Sequence, residues 1–244
     1  MRIEITALTS LPEVRPRDDL GQLIKEAAAR EGQALDGSVV LAVAQKIVSK
    51  AEGAAVDLRE VRPSALARSW AEQSGKDPYL IEVVLSQSRR VVKMDRGVLI
   101  TETPHGFVCA NAGVDQSNTE SEHLVTILPA DPDDSAARIR IATGCGAVIV
   151  TDTFGRAWRE GLVDVAIGIS GLDPLEDYRG REDRRGRPME STIVAVADQL
   201  AAAAGLVMRK AEGCPVALVR GLEWHAAEGS ARKLVRAPDR DLFR

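Results

Sequence analysis

Two aspartates in this 244-residue sequence stand where a carboxylate could do chemistry. Asp152 directly follows the apolar run Ala147-Val148-Ile149-Val150, the pattern of a buried strand, and Thr153 comes next. A buried strand holds its end rigidly, so the carboxylate and the Thr153 hydroxyl can act as hard oxygen ligands for a metal ion. Asp115 sits in Asn111-Ala112-Gly113-Val114-Asp115-Gln116-Ser117-Asn118, where Gly and Asn permit tight backbone and Asn118 could hydrogen-bond a base or ribose. Spacing alone leaves a second reading open, because Asp-Thr and Asp-Gln-Ser also supply ordinary turn and cap aspartates.

The cations cluster too. Lys46 and Lys50 lie on or beside a strand end, and Arg156 and Arg159 follow Asp152. Arg179, Arg181, Arg184, Arg185 and Arg187 crowd one loop, alternating with Asp177, Glu182 and Asp183. Arginine forks suit phosphate and carboxylate groups, so the loop could receive a polyanion; a self-paired, solvated loop is the alternative. No G-x-x-x-x-G-K-[ST] exists, and Gly144-Cys145-Gly146 lacks the rest of a dinucleotide fingerprint. Any nucleotide must be held by backbone amides, lysines and metal ions instead.

Other chemistries find little support. Cys109, Cys145 and Cys214 are odd in number and lack zinc or redox spacing. His105 lies in a Pro-His-Gly turn, while His123 and His225 have no partner at ligand spacing. Ser10, Ser49 and Ser170 lack a nucleophile-elbow context. An aromatic content of 3% and a formal charge of −4 argue against single-strand stacking platforms and global attraction to nucleic acid. With no signal-peptide core and no apolar run of membrane-spanning length, the chain is expected to be cytoplasmic.

The elements that must position these residues read as follows. Met1–Ala7 alternates like a strand, and Asp18 and Asp19 can cap a helix through Leu20, Leu23, Ile24, Ala27 and Ala28. Ser38–Ser49 suits a buried strand running into a polar turn, Lys50-Ala51-Glu52-Gly53. Ser64 and Asp77-Pro78 mark helix starts, and Arg90–Asn111 reads as an antiparallel meander. A helix over Asp133–Ala142, strands over Ala147–Thr151 and Val163–Ile169, a long helix from Met189 to Met208 and a strand at Val216–Arg220 follow. The class is α+β. Residues 226–244 are expected to form a C-terminal arm or linker after a main domain over 1–225.

Together these segments resemble the coenzyme F420-0:L-glutamate ligase family, including the N-terminal domain of its actinobacterial two-domain version. The matching stretches are Ile47-Val48-Ser49-Lys50-Ala51-Glu52-Gly53, Asn111 to Asn118, Thr151-Asp152-Thr153-Phe154-Gly155-Arg156 and Ala166-Ile167-Gly168-Ile169-Ser170-Gly171. The loop from Asp177-Tyr178-Arg179-Gly180 to Gly186-Arg187 and Val219-Arg220-Gly221 complete the set, in the family's order across nearly the whole chain.

The resemblance implies two intertwined α+β subdomains, a homodimer, and GTP with Mg2+ or Mn2+ (and optionally K+) in a groove. Asp115, Asp152 and Thr153 would hold metal, with Asp115, Asp152 and Lys50 the catalytic set. GTP contacts would come from Thr9, Ser10, Leu11, Pro12, Gln45, Lys46, Lys50 and Asn118. Met208, Arg209, Lys210, Ala211, Glu212, Gly213, Cys214 and Pro215 would add others. Near Lys210 some relatives place a Gln or Glu that reaches a metal; protonated lysine cannot, so Glu212 substitutes or that site is filled differently. The implied reaction joins L-glutamate to coenzyme F420-0 through an acyl phosphate. A γ-glutamyl ligase for another pterin- or flavin-like acid, and a non-catalytic GTP- or deazaflavin-binding subunit, are the rival readings.

Overall fold

The computed structural model describes residues 2–117, 121–209 and 212–241. In chain order the elements are β1 (Glu4–Ala7), α1 (Leu20–Arg30), β2 (Val40–Ala44), α2 (Gln45–Glu52), β3 (Ala55–Asp57), α3 (Ala65–Ser74) and α4 (Pro78–Ser86). Then come β4 (Arg90–Asp95), β5 (Val98–Glu102), β6 (Val108–Ala110), β7 (Leu124–Thr126), α5 (Pro132–Thr143), β8 (Ala147–Arg156) and β9 (Arg159–Ser170). The chain closes with β10 (Leu175–Asp177), β11 (Ile193–Ala195), α6 (Val196–Met208) and β12 (Val216–Arg220).

The expected caps form. Asp19 accepts the Gln22 amide, Ser64 accepts that of Ala67, and Asp77 accepts that of Tyr79 with Pro78 in the first turn. Each satisfies a donor that a helix start would otherwise leave unmet.

The central sheet has five strands in the order β1-β12-β2-β8-β9. Only β2 and β8 run parallel; the other neighbours are antiparallel. Val40 to Val43, Ala147 to Val150 and Val216 to Val219 are essentially inaccessible, which is why these runs read as continuously apolar rather than alternating. Helix α6 packs on one face, α1 and α5 on the other. Smaller cores join α3 and α4 to the β4-β5-β6 meander, and α4 to the β3-β7 pair. The fold is α+β, as expected.

Several boundaries differ from the sequence reading. The run Ser38–Ser49 is not one strand: β2 stops at Ala44, and Gln45 to Glu52 form α2, closed by Gly53 in the left-handed region at φ 67°. A short apolar run fits either period; here Ile47 and Val48 are buried while Lys46 and Lys50, four residues apart, share the open side. β8 runs on past Val150 to Arg156, so Asp152 lies within a strand rather than after one. The last long helix begins at Val196, because Ile193–Ala195 pairs with β10. The segment beyond 225 lies against the core: Ala231 is buried, its amide and the Ser230 hydroxyl donate to Asp133, and Gly171 donates to Glu228.

Candidate active site

The strand directions bring distant segments to one edge of the sheet. β1, β2 and β8 all run toward it, and β12 starts from it. Ala44 opposes Thr151 in the parallel register, so the chain turns into α2 where β8 presents Asp152. The Ala44 amide donates to the Pro215 carbonyl at 2.8 Å, and Leu8 donates to Val216 at 2.9 Å. The residues after β1, those before β12, the start of α2 and the middle of β8 are therefore neighbours. The N-cap of helix α2 is Ala44, which supplies no side-chain cap, and this leaves the helix's first amides and the positive end of its dipole for an anion.

Lys46, in the first turn of α2, reaches across to the segment after the meander. Its Nζ lies 3.0 Å from Asp115 Oδ2 and also donates to the Ser117 hydroxyl. Asp115 is held in place by its own turn: the Ser117 amide and hydroxyl donate to it at 2.7 and 2.9 Å, and its backbone bridges to Thr126. Burial pushes this carboxyl up, but Ser117 and Lys46 outweigh it and leave the carboxyl below its ordinary range. Lys50, one turn on, pairs with Glu13. Gln45 faces inward, donating to Ser49 at 2.6 Å and to the Ile127 carbonyl.

On the regular β8–β9 hairpin, successive residues point to opposite faces. Asp152 and Phe154 face the meander: Phe107 packs edge-on to Phe154 with centroids 6.4 Å apart. Cys109, on β6, is buried there; burial first, then the Asp152 charge, push its thiol up to about 12 against the opposing Gly113 amide. Cys109 thus links Asp152 to the turn that carries Asp115. Thr153 points toward α6, where its hydroxyl donates to Asp164 at 2.5 Å. The hairpin is offset by a bulge between Val150 and Thr151, and Asp198 of α6 accepts the Ala166 amide beside it.

The remaining expected contacts are placed unevenly. The amides of Thr9 and Ser10 donate to Glu31 Oε1 at 2.8 and 2.6 Å, while Arg30 donates to the Ser10 carbonyl. Leu11 packs on the main core and Pro12 is exposed. Met208 is buried at the end of α6, and Arg209 leaves the helix at φ 23° and pairs with Glu212. Gly213 takes a left-handed turn, and the Cys214 thiol donates to the Glu212 carbonyl before Pro215 reaches β2. Asn118, Lys210 and Ala211 lie outside the described residues. In the arginine-rich loop, Arg179 is bound to Asp177, holding that carboxyl at about 2, and Arg181 pairs with Glu176 over the Tyr178 ring. Arg184, Arg185 and Arg187 are exposed and make no ion pair among the described residues.

Sequence reasoning missed Glu31, Glu13 and Asp164. Each acts across a long loop or a strand pair, and no local spacing marks it. Ser117 lay inside a quoted motif, with its Asp-x-Ser turn as the available signal.

Among the described residues no three His, Cys, Asp or Glu side chains converge as a closed metal cage. Asp115 and Asp152 toward the meander, and the Thr153 hydroxyl on the opposite face, offer hard oxygens that still fit Mg2+ or Mn2+, which take few protein ligands and complete their shell with water and phosphate. Lys46 on Asp115 already shows that this carboxylate attracts a cation.

The sequence relatives define the class. Residues 9–221 match the family model described as F420-0:Gamma-glutamyl ligase. The chain is 45% identical to the Coenzyme F420:L-glutamate ligase of Methanothermobacter thermautotrophicus, with all of both chains covered. It is 46% identical to the protein of that name from Methanopyrus kandleri, covering 100% of this chain and 98% of that one. For the Archaeoglobus fulgidus protein of the same name the identity is 40%, with 100% and 97% covered. The protein is an enzyme, a ligase. It belongs to the F420-0:gamma-glutamyl ligase family.

Proposed function

We propose that this enzyme attaches L-glutamate, through γ-linked chemistry, to coenzyme F420-0, using GTP and Mg2+ or Mn2+. The observation that carries the reading is the uncapped start of α2, with Lys46 on Asp115, beside the strand that presents Asp152. A free carboxylate is a poor electrophile, so it must be activated before an amine can attack. The γ-phosphoryl group of GTP passes to the substrate carboxylate, giving an acyl phosphate and GDP. The glutamate α-amine then attacks the acyl carbon, loses a proton and expels phosphate. No protein nucleophile is needed.

Divalent cations held by Asp115 and Asp152 on the meander side, and by Thr153 on the α6 side, would supply the charge that screens two anionic reactants from each other. The first amides of α2 hold phosphate, and Lys46, with Lys50 on the same side of the helix, stabilises charge on the transferring group. The loop residues 9–12 and 212–215 border the same edge and close around the nucleotide. Arg184, Arg185 and Arg187 carry the exposed positive charge that suits a growing polyglutamate tail. The working unit is a homodimer.

Incubation with F420-0, glutamate, GTP and Mn2+ or Mg2+, followed by mass spectrometry, tests the reading. Glutamylated products that depend on both GTP and metal are expected. GTP binding with no product on F420-0 would sink this substrate assignment.

A further inference from the structure

Thr153 and Asp164 form a cross-strand pair of the β8–β9 hairpin, with Oγ1 2.5 Å from Oδ1. An ionised carboxylate only accepts hydrogen bonds, so the threonine hydroxyl is the donor. Its single proton is thereby committed, and what Oγ1 offers in every other direction is lone pairs. Such an oxygen can ligate a cation or accept from a donor; it cannot itself donate to phosphate.

The carboxylate is held from behind. A Cβ added at Gly205, in the middle of α6, would lie 2.5 Å from Asp164 Oδ2. Glycine within a helix costs about 1 kcal/mol relative to alanine, and here it makes room for this carboxylate against the helix backbone. Asp164 is half-buried and has no cationic partner among the described residues. An acid placed so close to a helix, with only a hydroxyl to bind, does little for a core.

We propose that Asp164 is a positioning residue: it accepts the hydrogen bond of the Thr153 hydroxyl so that Thr153 presents lone pairs alone to a divalent cation, with Gly205 leaving the space that fixes Asp164. The proposal rests on the metal-dependent reading above.

The test is a Mn2+ titration of the full chain, free Mn2+ being read by electron paramagnetic resonance, for Asp164→Ala, Thr153→Val and the double variant. Loss of a group that orients a ligand costs about 10- to 100-fold in metal affinity. Weakening of that size is expected for Asp164→Ala, with none added once Thr153 is valine, because groups acting through one contact do not add. Equal weakening by Asp164→Ala in both backgrounds, or none in either, overturns the proposal. Asp152→Asn separates the two levels. If Mn2+ affinity falls with Asp152→Asn and Thr153→Val but not with Asp164→Ala, positioning alone fails. If it falls with none of them, the metal reading fails and takes the proposal with it. Should Asp164→Ala not fold, Asp164→Asn keeps the shape with a weaker acceptor; reduced Mn2+ affinity supports the proposal and unchanged affinity overturns it.

Discussion

Lys46 Nζ lies 3.0 Å from Asp115 Oδ2, joining the first turn of α2 to a turn nearly seventy residues further along the chain. In the proposed reaction the same ammonium serves two anions, the aspartate at rest and a phosphate during turnover. Replacing it should separate its structural role from its catalytic one. In Lys46→Met, turnover is expected to fall about 10²- to 10³-fold, the loss typical of one preorganised donor. Both partners are partly exposed, so stability should fall by only about 0.2–1 kcal/mol. Steady-state kinetics and thermal melts read the two separately.

That stability difference should depend on pH. The Asp115 carboxyl is lowered from 3.8 in the folded protein. A depressed acid contributes stability that is fully present above its unfolded value and lost as pH falls through its folded value. Melting temperatures of the wild type and Lys46→Met should therefore differ at neutral pH and converge below 3.8. A gap that stays constant down to the acid limit would show that Asp115 does not feel Lys46.

Asp152→Asn keeps the size of the side chain and the acceptor for the Thr153 amide. The variant is expected to melt like the wild type and to release no GDP in the presence of glutamate and F420-0. Near-normal turnover at saturating Mn2+ would remove Asp152 from the site.

Glu31 holds the Thr9 and Ser10 amides, and these bonds outweigh burial in lowering its carboxyl. Glu31→Gln exchanges charged acceptors for a neutral one. Its KM for GTP is expected to rise about 3- to 10-fold, the worth of roughly one hydrogen bond, with kcat retained. An unchanged KM would mean that the 9–12 loop does not need this anchor.

Asp198 is raised by burial, against the Ala166 amide that it accepts. A raised acid is costly when ionised, and the cost is relieved as pH falls through its folded value. Asp198→Asn keeps an acceptor for Ala166 without the charge. It should melt higher than the wild type at pH 7, with the difference shrinking in acid.

Much of this was legible before the structure. The helix starts at Asp19, Ser64 and Asp77-Pro78 were readable because a cap is local chemistry: a side chain meets a donor two or three residues ahead. The strand at Val216–Arg220 and the meander were readable from short β-rich runs between turn residues. Family membership was carried by motifs in order, each weak alone. Gln45 to Glu52 was not legible as a helix, because five apolar residues and a helical turn share the same first few letters.

The residue types of the site, two aspartates, a threonine and two lysines, were decided by the sequence, since carboxylate and ammonium chemistry belongs to the side chain itself. Their grouping was decided by the tertiary structure. The parallel pairing of β2 with β8 sets Ala44 opposite Thr151 and so brings Lys46 and Asp152 to one edge. The hairpin's pleat then turns Thr153 away from Asp152 and onto Asp164, a partner eleven residues distant. Such partners are chosen by strand register and by long-range burial, and neither leaves a periodic mark in a single sequence.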